Sequence, residues 1–248
     1  MLTALLLLAS SLIAQDPPKA AAPKAHDAIT AVPRPDEWWT KRHEAMNARV
    51  KEGDVGLLFI GDSITQGWET EGKDVWAEFY AKRKAVNLGI GGDRTQHVLW
   101  RLDHGNLDGL GTPAGKDKAT PKLAVLMIGT NNSNGEDNTA REIADGQIAI
   151  VKKLREKLPA TKVLVLAIFP RGEKPNPQRE KNAAASALVK KEIADGKEVR
   201  FLDIGDRFLE KDGTLTKEIM PDFLHLSPKG YRIWADAIES EVKAQCDG

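Results

Sequence analysis

The sequence of 248 residues has very little cysteine and no excess of charge of either sign. Its one cysteine, Cys246, lies two residues from the C-terminus, so the chain cannot form an internal disulfide. The 36 basic and 36 acidic residues cancel at neutral pH, and no Lys/Arg run is interleaved with aromatic residues. These absences disfavour a disulfide-stabilised fold and a nucleic-acid partner. The length suits one domain with a sizeable core.

The chain also lacks an apolar run as long as a bilayer-spanning helix, which needs about 20 residues. Residues 1–14 form a shorter apolar run ending in small residues, as a secretory signal peptide does, although no Lys or Arg precedes it. We expect export to the periplasm or the medium, cleavage after Ala14 and no stable membrane insertion; an amphipathic or buried N-terminal helix is the alternative. Residues 15–35 are rich in Ala, Pro and Lys and predict a disordered linker, which leaves residues 36–248 for the folded domain.

From residue 36 onward, short apolar runs alternate with longer amphipathic stretches. Runs rich in Val, Leu and Ile predict strands at 55–61, 85–89, 123–128, 162–169 and 199–204. Helices are predicted at 36–50, from a capping box at Thr139 to Pro159, at 177–195 and from Ser227 onward. Strands this apolar are covered on both faces, so the pattern predicts a doubly wound α/β fold with a five-stranded parallel sheet.

The first predicted strand ends abruptly in Gly61-Asp62-Ser63, which places a serine hydroxyl at the carboxyl end of a buried strand. Open α/β sheets bind their ligands at that edge. A serine alone is a poor nucleophile and needs a neighbouring base. His225, preceded by Asp222, follows the last strand and is the candidate base. In ester cleavage Ser63 would attack the carbonyl carbon, His225 would carry the proton and Asp222 would hold the imidazole.

Two more polar segments follow the second and third predicted strands, the turn at Gly91-Gly92 and the loop at Asn131. The backbone N–H of Ser63, an N–H of the glycine turn and the Asn131 amide are candidate donors to the negative oxygen of a tetrahedral intermediate. Each segment also has a purely structural reading, as a helix cap, a tight turn or a loop. Their convergence on one sheet edge favours a catalytic site.

Other kinds of site fit the sequence less well. The glycines at 89–92 follow the second strand and lack the spacing of a dinucleotide-binding loop, and no phosphate-binding Gly-Lys-Ser/Thr motif is present. The histidines at 26, 43, 97 and 104 show no metal-ligand spacing, so we expect neither a metal nor a cofactor. The nucleophile elbow of α/β-hydrolases requires Gly two residues after the serine, where this chain has Thr65.

The residues of the candidate site resemble the diagnostic blocks of the GDSL, or SGNH, hydrolase family. The matching blocks are Gly61-Asp62-Ser63-Ile64, Gly92, Asn131 and Asp222-Phe223-Leu224-His225. The longer strings at 89–102 and 170–182 resemble, within that family, the catalytic subunits of intracellular platelet-activating-factor acetylhydrolase. The resemblance covers about residues 55–242.

This resemblance implies a flavodoxin-like three-layer α/β/α sandwich and metal-independent serine esterase chemistry. It also implies an oxyanion hole of Ser63, Gly92 and Asn131, a preference for acetyl-type groups, and homodimers. We therefore expect an exported serine esterase acting on short-chain esters of a lipid or an O-acetylated carbohydrate. The alternatives are a glycan-binding or adhesion module on the same scaffold and an acyltransferase using the same three residues. The substrate pocket is expected in the loops at 65–75, 105–121, 133–138 and 170–178.

Overall fold

A computed structural model describes residues 25–111, 120–193 and 196–247. Its strands are β1 (Leu57–Gly61), β2 (Ala85–Gly89), β3 (Leu123–Met127), β4 (Lys162–Leu166) and β5 (Val199–Leu202). Its helices are α1 (Glu37–Lys51), α2 (Ser63–Gln66), α3 (Lys73–Phe79), α4 (Thr95–Asp103), α5 (Ala140–Lys157), α6 (Pro177–Glu192) and α7 (Pro228–Cys246). No helix within these ranges has both the length and the apolar composition to cross a membrane.

The strands form one parallel sheet in the order β2-β1-β3-β4-β5. This order is the flavodoxin-like one, so the predicted α/β fold is confirmed. Successive side chains of a strand point to opposite faces, and both faces are covered. Leu58 and Ile60 pack with α1, α4, α5 and α6, whereas Leu57 and Phe59 pack with α3 and α7. The result is the three-layer sandwich, and it explains why the central strands β1 and β3 are apolar and buried throughout.

The helix starts predicted from capping sequences are confirmed. At α5, Thr139 Oγ1 accepts the N–H of Glu142 at 3.3 Å, and Glu142 Oε2 accepts the N–H of Thr139 at 2.9 Å. At α7, Ser227 Oγ accepts the N–H of Gly230 at 3.2 Å. Strand ends were harder to predict, because the apolar runs continue past the last ladder position. Phe169 and Ile204, for example, stay buried beyond the ends of β4 and β5.

The N-terminal segment differs from the sequence-based expectation. Residues 1–24, with the predicted signal peptide, its cleavage site and the first part of the linker, lie outside the described residues. Residues 25–35, assigned to the disordered linker by composition, instead lie against the domain. Ala28 is fully buried, and its carbonyl accepts a hydrogen bond from Thr95 Oγ1 at 2.7 Å. This order comes from contacts with distant residues, which composition and periodicity do not register.

Candidate active site

Three side chains meet at the carboxyl end of β1, and all three belong to the set proposed from the sequence. Ser63 is the first residue of α2, directly after the strand. His225 Nε2 lies 2.9 Å from Ser63 Oγ, and His225 Nδ1 lies 2.6 Å from Asp222 Oδ2. The geometry therefore links a hydroxyl to an imidazole and the imidazole to a carboxylate. This is the arrangement that activates a serine for attack on a carbonyl carbon.

The loop carrying the acid and the histidine is shaped by the acid itself. Asp222 Oδ1 accepts the backbone N–H groups of Leu224 at 3.0 Å and His225 at 2.7 Å. Phe223, the residue directly after Asp222, has a φ of +60°, a conformation unfavourable for a side chain of this size. Partial burial favours the protonated form of Asp222, but hydrogen bonds from His225 outweigh it and keep the pKa of Asp222 below its ordinary value. The carboxylate is thus ionised at neutral pH, where it can hold an imidazolium.

Asp62, next to the serine, has a structural task that the motif alone does not reveal. It is fully buried and caps α2 by accepting the N–H of Ile64 at 3.0 Å. Its second carboxylate oxygen, Oδ2, is buried without a hydrogen-bond partner. Burial raises the pKa of Asp62 to about 7. The cap fixes the start of α2 and with it the position of the Ser63 backbone N–H.

The candidate oxyanion donors lie on the turns after three adjacent strands. Ser63 follows β1, Gly92 follows β2 and Asn131 follows β3. Neither the Ser63 N–H nor the Gly92 N–H is hydrogen-bonded to an acceptor within the described residues. Gly92 has a φ of +75°, which glycine adopts without strain. Asn131 Nδ2 donates one hydrogen to the carbonyl of Asp93 at 2.9 Å, which orients the amide and leaves its second hydrogen available.

A buried ion pair that was not predicted from the sequence supports these turns. Arg101 Nε lies 2.8 Å from Asp93 Oδ2, and neither side chain is exposed. The indole N–H of Trp39 donates to Asp93 Oδ1 at 2.7 Å. Arg101 also donates to Asn106 Oδ1 at 2.5 Å and to the carbonyl of Gly61 at 3.3 Å. The sequence does contain one indication of this pair. Arg101 lies among the apolar residues of α4, and a charged residue is rarely buried without a partner.

The turn after β3 separates two neighbouring asparagines. Asn131 is partly exposed at the site, whereas Asn132 is fully buried. Asn132 Oδ1 accepts the N–H of Thr95 at 3.0 Å, and its Nδ2 donates to Asn138 Oδ1 at 3.0 Å. Arg171 lies beside this turn and donates to the carbonyl of Thr130 at 3.2 Å. Asn132 therefore holds the start of α4, and only Asn131 is placed to meet a substrate.

The groups assembled here are a hydroxyl, an imidazole, a carboxylate and amide donors. No three His, Cys, Asp or Glu residues are grouped as metal ligands in the part of the chain that the structure describes. Of the loops expected to form the substrate pocket, residues 112–119 lie outside the described residues. The described arrangement is suited to acyl transfer, because it brings together a candidate nucleophile with its base and candidate donors for a developing oxyanion.

Comparison with known proteins gives consistent matches. A sequence model of the GDSL-like Lipase/Acylhydrolase family matches residues 59–233. Platelet-activating factor acetylhydrolase IB subunit alpha2 of Homo sapiens is 39% identical over 196 residues, 79% of this chain and 80% of that protein. Subunit alpha1 of Bos taurus is 38% identical over 205 residues, 83% and 82% of the two chains.

Solved structures share the fold at lower identity. The acetyl xylan esterase AlAXEase superposes with a TM-score of 0.61 at 24% identity, covering 76% of this chain and 100% of that one. A GDSL-like lipase from Bacteroides thetaiotaomicron superposes with a TM-score of 0.60 at 20% identity, covering 82% and 97%. At these sequence identities, the two superpositions establish a shared fold and nothing further.

Proposed function

This chain belongs to the GDSL-like lipase/acylhydrolase family and is a carboxylic ester hydrolase, and we propose that it removes short acyl groups through Ser63, His225 and Asp222. The observation that carries the proposal is the continuous hydrogen-bonded path from Ser63 Oγ through the imidazole to the Asp222 carboxylate. A binding module of the same fold has no need of such a path. The proposed acyl group is acetyl, which is the group named in the curated relatives at 38–39% identity.

The first half of the reaction forms an acyl-enzyme. Ser63 Oγ attacks the ester carbonyl carbon while His225 Nε2 accepts the hydroxyl proton. Asp222 holds the other ring nitrogen and stabilises the imidazolium. The carbonyl oxygen becomes negative and accepts hydrogen bonds from Ser63 N, Gly92 N and Asn131 Nδ2. The tetrahedral intermediate then expels the alcohol oxygen, which takes the proton from His225.

The second half repeats these roles with water. His225 Nε2 accepts a proton from a water molecule, whose oxygen attacks the acyl carbon. The same three donors hold the second oxyanion. Collapse of this intermediate releases the carboxylic acid, and His225 returns the proton to Ser63 Oγ. An alcohol in place of the water would give acyl transfer, so product analysis separates the two reactions.

The proposed substrates are short-chain esters of a lipid or of an O-acetylated carbohydrate. The protein would act on them after its export. The relatives named as acetylhydrolases of platelet-activating factor support a lipid, and the signal-like residues 1–14 support a substrate outside the cytoplasm. The fold is also shared with an acetyl xylan esterase. A panel of acetylated phospholipid, acetylated xylan and aryl esters of increasing chain length decides between the leaving groups. Fractionation of the producing cells tests the export.

The serine itself is tested by substitution and labelling. Ser63→Ala removes the nucleophile and should abolish turnover of a short-chain aryl acetate while the circular dichroism spectrum and melting temperature stay close to those of the parent. A fluorophosphonate probe should label the parent chain and not the variant, because only an activated serine reacts with it. Substitution of Ser133, a buried serine hydrogen-bonded to the carbonyl of Thr130, controls for nonspecific labelling. Retained turnover in Ser63→Ala would refute the proposal.

A further inference from the structure

Arg34 reaches the candidate oxyanion hole from outside the region matched by the family. It lies in the N-terminal segment, well before residue 59. Its Nη1 donates to the carbonyl oxygen of Gly91 at 2.7 Å. The rest of the guanidinium is held in place, since Nε donates to Asp36 Oδ2 at 3.0 Å and the group lies over the Trp38 ring at 5.1 Å. The arginine is thus a fixed contact to the turn after β2.

The carbonyl that Arg34 holds belongs to the same peptide group as the Gly92 N–H. A peptide group is planar, and in the trans form its C=O and N–H point in opposite directions. A hydrogen bond that fixes the Gly91 oxygen therefore also fixes the direction of the Gly92 N–H. We propose that Arg34 is a positioning residue that aims the Gly92 N–H at the oxyanion. This inference rests on the proposed function, because it assigns a task within that same site.

The charge of Arg34 adds to the effect of its position. Hydrogen bonds from an ionised donor are shorter and stronger than neutral ones. Such a bond to a carbonyl polarises the whole peptide group, which makes its N–H a better donor. The Gly91 N–H on the preceding peptide donates to Gln66 Oε1 at 2.7 Å, so the turn is held on both sides.

The fit between the arginine and the turn also explains the glycine. A Cβ added at Gly92 would come within 2.8 Å of Arg34 Nη1, in addition to the strain of its positive φ. With a Cβ at this position, the guanidinium would have to move away from the peptide group that it holds. Gly92 is therefore matched to a residue nearly sixty positions earlier in the chain.

Arg42 of α1 provides a matched control, because it contacts a backbone carbonyl at the same end of β2. Its Nε donates to the carbonyl of Gly89 at 2.8 Å, and it pairs with Glu69 at 2.8 Å. Its side chain is 19% exposed, against 20% for Arg34. The peptide group that Arg42 holds has its N–H at Ile90, and that N–H donates to the carbonyl of Gly61 at 3.2 Å. Arg42 thus makes the same kind of contact as Arg34, but the N–H of the peptide group that it holds is already hydrogen-bonded.

The test compares Arg34→Met with Arg42→Met in the full chain. The readouts are kcat and KM for a short-chain aryl acetate, and Ki for a methyl trifluoromethyl ketone. In that inhibitor Ser63 Oγ bonds to the ketone carbon, the proton passes to His225, and the former carbonyl oxygen becomes an anion in the hole. Removing a whole oxyanion donor costs about 100- to 1,000-fold in kcat, so misaiming one should cost about tenfold.

The expected pattern separates positioning from a purely structural role. Arg34→Met should lower kcat about tenfold and raise Ki in parallel, with KM changed less than about twofold, whereas Arg42→Met leaves all three within about twofold. Arg34→Lys keeps a charged donor within reach of the Gly91 carbonyl and should recover part of kcat. Melting temperatures of both methionine variants are measured alongside.

Three results would overturn the inference. They are an unchanged kcat in Arg34→Met, a rise in KM without a fall in kcat, and an equal loss in Arg42→Met. Failure of the proposed function looks different: the parent chain would then resist both the ketone and the fluorophosphonate, and Ser63→Ala would keep its turnover. That outcome would refute the inference about Arg34 as well. If the parent chain reacts with both reagents but kcat is unchanged in Arg34→Met, only the inference about Arg34 is refuted.

Discussion

At the scale of single residues, identical side chains in adjacent positions have separate tasks. Asn131 is partly exposed and holds one free amide hydrogen at the site, while Asn132 is buried and hydrogen-bonded to the start of α4. The sequence shows only two asparagines after a strand. Their difference comes from the direction in which each side chain leaves the turn.

Substitution of each asparagine should therefore affect a different property. Asn131→Ala removes one of the proposed oxyanion donors, and we expect kcat to fall about 100- to 1,000-fold with little change in melting temperature. Asn132→Ala leaves the Thr95 N–H buried without its acceptor, which costs about 1–3 kcal/mol of stability. Steady-state kinetics and thermal unfolding of both variants measure the contrast. A loss below about twofold in Asn131→Ala would exclude this residue from the oxyanion hole.

At the scale of elements, α4 is joined to the sheet by a charged contact. The Asp93–Arg101 pair connects the turn after β2 to the helix, and Arg101 also reaches the carbonyl of Gly61 at the end of β1. Burial favours the neutral form of both groups, raising the pKa of Asp93 and lowering that of Arg101. A buried pair of this kind adds little net stability, but losing one member is expensive because the other charge remains buried.

This asymmetry predicts a particular pattern of stabilities. Arg101→Met should lower the free energy of unfolding by about 3–5 kcal/mol, because Asp93 is left buried and the Trp39 N–H is its remaining side-chain hydrogen-bond donor. Adding Asp93→Asn to that variant removes the uncompensated charge and should restore much of the loss. Urea denaturation of the parent, both single variants and the double variant measures the coupling. Additive losses would show that the two side chains do not act as a pair.

At the scale of the whole molecule, the strand order assembles the site. In the order β2-β1-β3-β4-β5, the strands carrying Gly92, Ser63 and Asn131 are neighbours, although β2 lies between β1 and β3 in the chain. Parallel strands bring all three following turns to one edge. The loop before α7 then returns Asp222 and His225 to that edge, although His225 lies 162 positions after Ser63 in the chain. The proposed nucleophile, base and oxyanion donors therefore come from four separate segments.

The stability of the whole molecule should depend on pH through Asp62. Burial raises its folded-state pKa to about 7, above the ordinary value of 3.8. The protonated form is therefore favoured in the folded state, and its stabilising contribution, complete below the unfolded-state pKa, is lost as the pH rises through the folded-state value. Asp62→Asn mimics the protonated carboxyl and keeps an acceptor for the Ile64 N–H.

The stability advantage of Asp62→Asn over the parent should grow by about 3 kcal/mol between about pH 5 and pH 8. Denaturant unfolding of both proteins at the two pH values measures the difference directly. A difference that stays constant would mean that Asp62 does not titrate in this range. Substitution of Asp212, an exposed carboxylate in a surface turn, serves as a control that leaves the site untouched.

Much of the fold was predictable because its determinants are local. Apolar runs bounded by turns located the five strands, and the Thr139 and Ser227 caps located two helix starts, since both signals depend on neighbouring residues. Strand ends at Leu166 and Leu202 were less predictable, because buried apolar residues such as Phe169 and Ile204 follow the last ladder position. The predicted linker failed as a description of residues 25–35 for a related reason, since their order depends on contacts with α4 and the turn after β2.

The sequence by itself determined the α/β class, the family and the candidate residues Ser63, Gly92, Asn131, Asp222 and His225, because short motifs record which chemical groups are present and which strand each one follows. Only the tertiary structure decided how those groups are held. It separated Asn131 from Asn132, buried Asp93 against Arg101, and brought Arg34 to the Gly91 carbonyl. The physical reason is that burial and hydrogen bonding depend on distance in space. Residues nearly sixty positions apart leave no periodic trace of their contact in the chain.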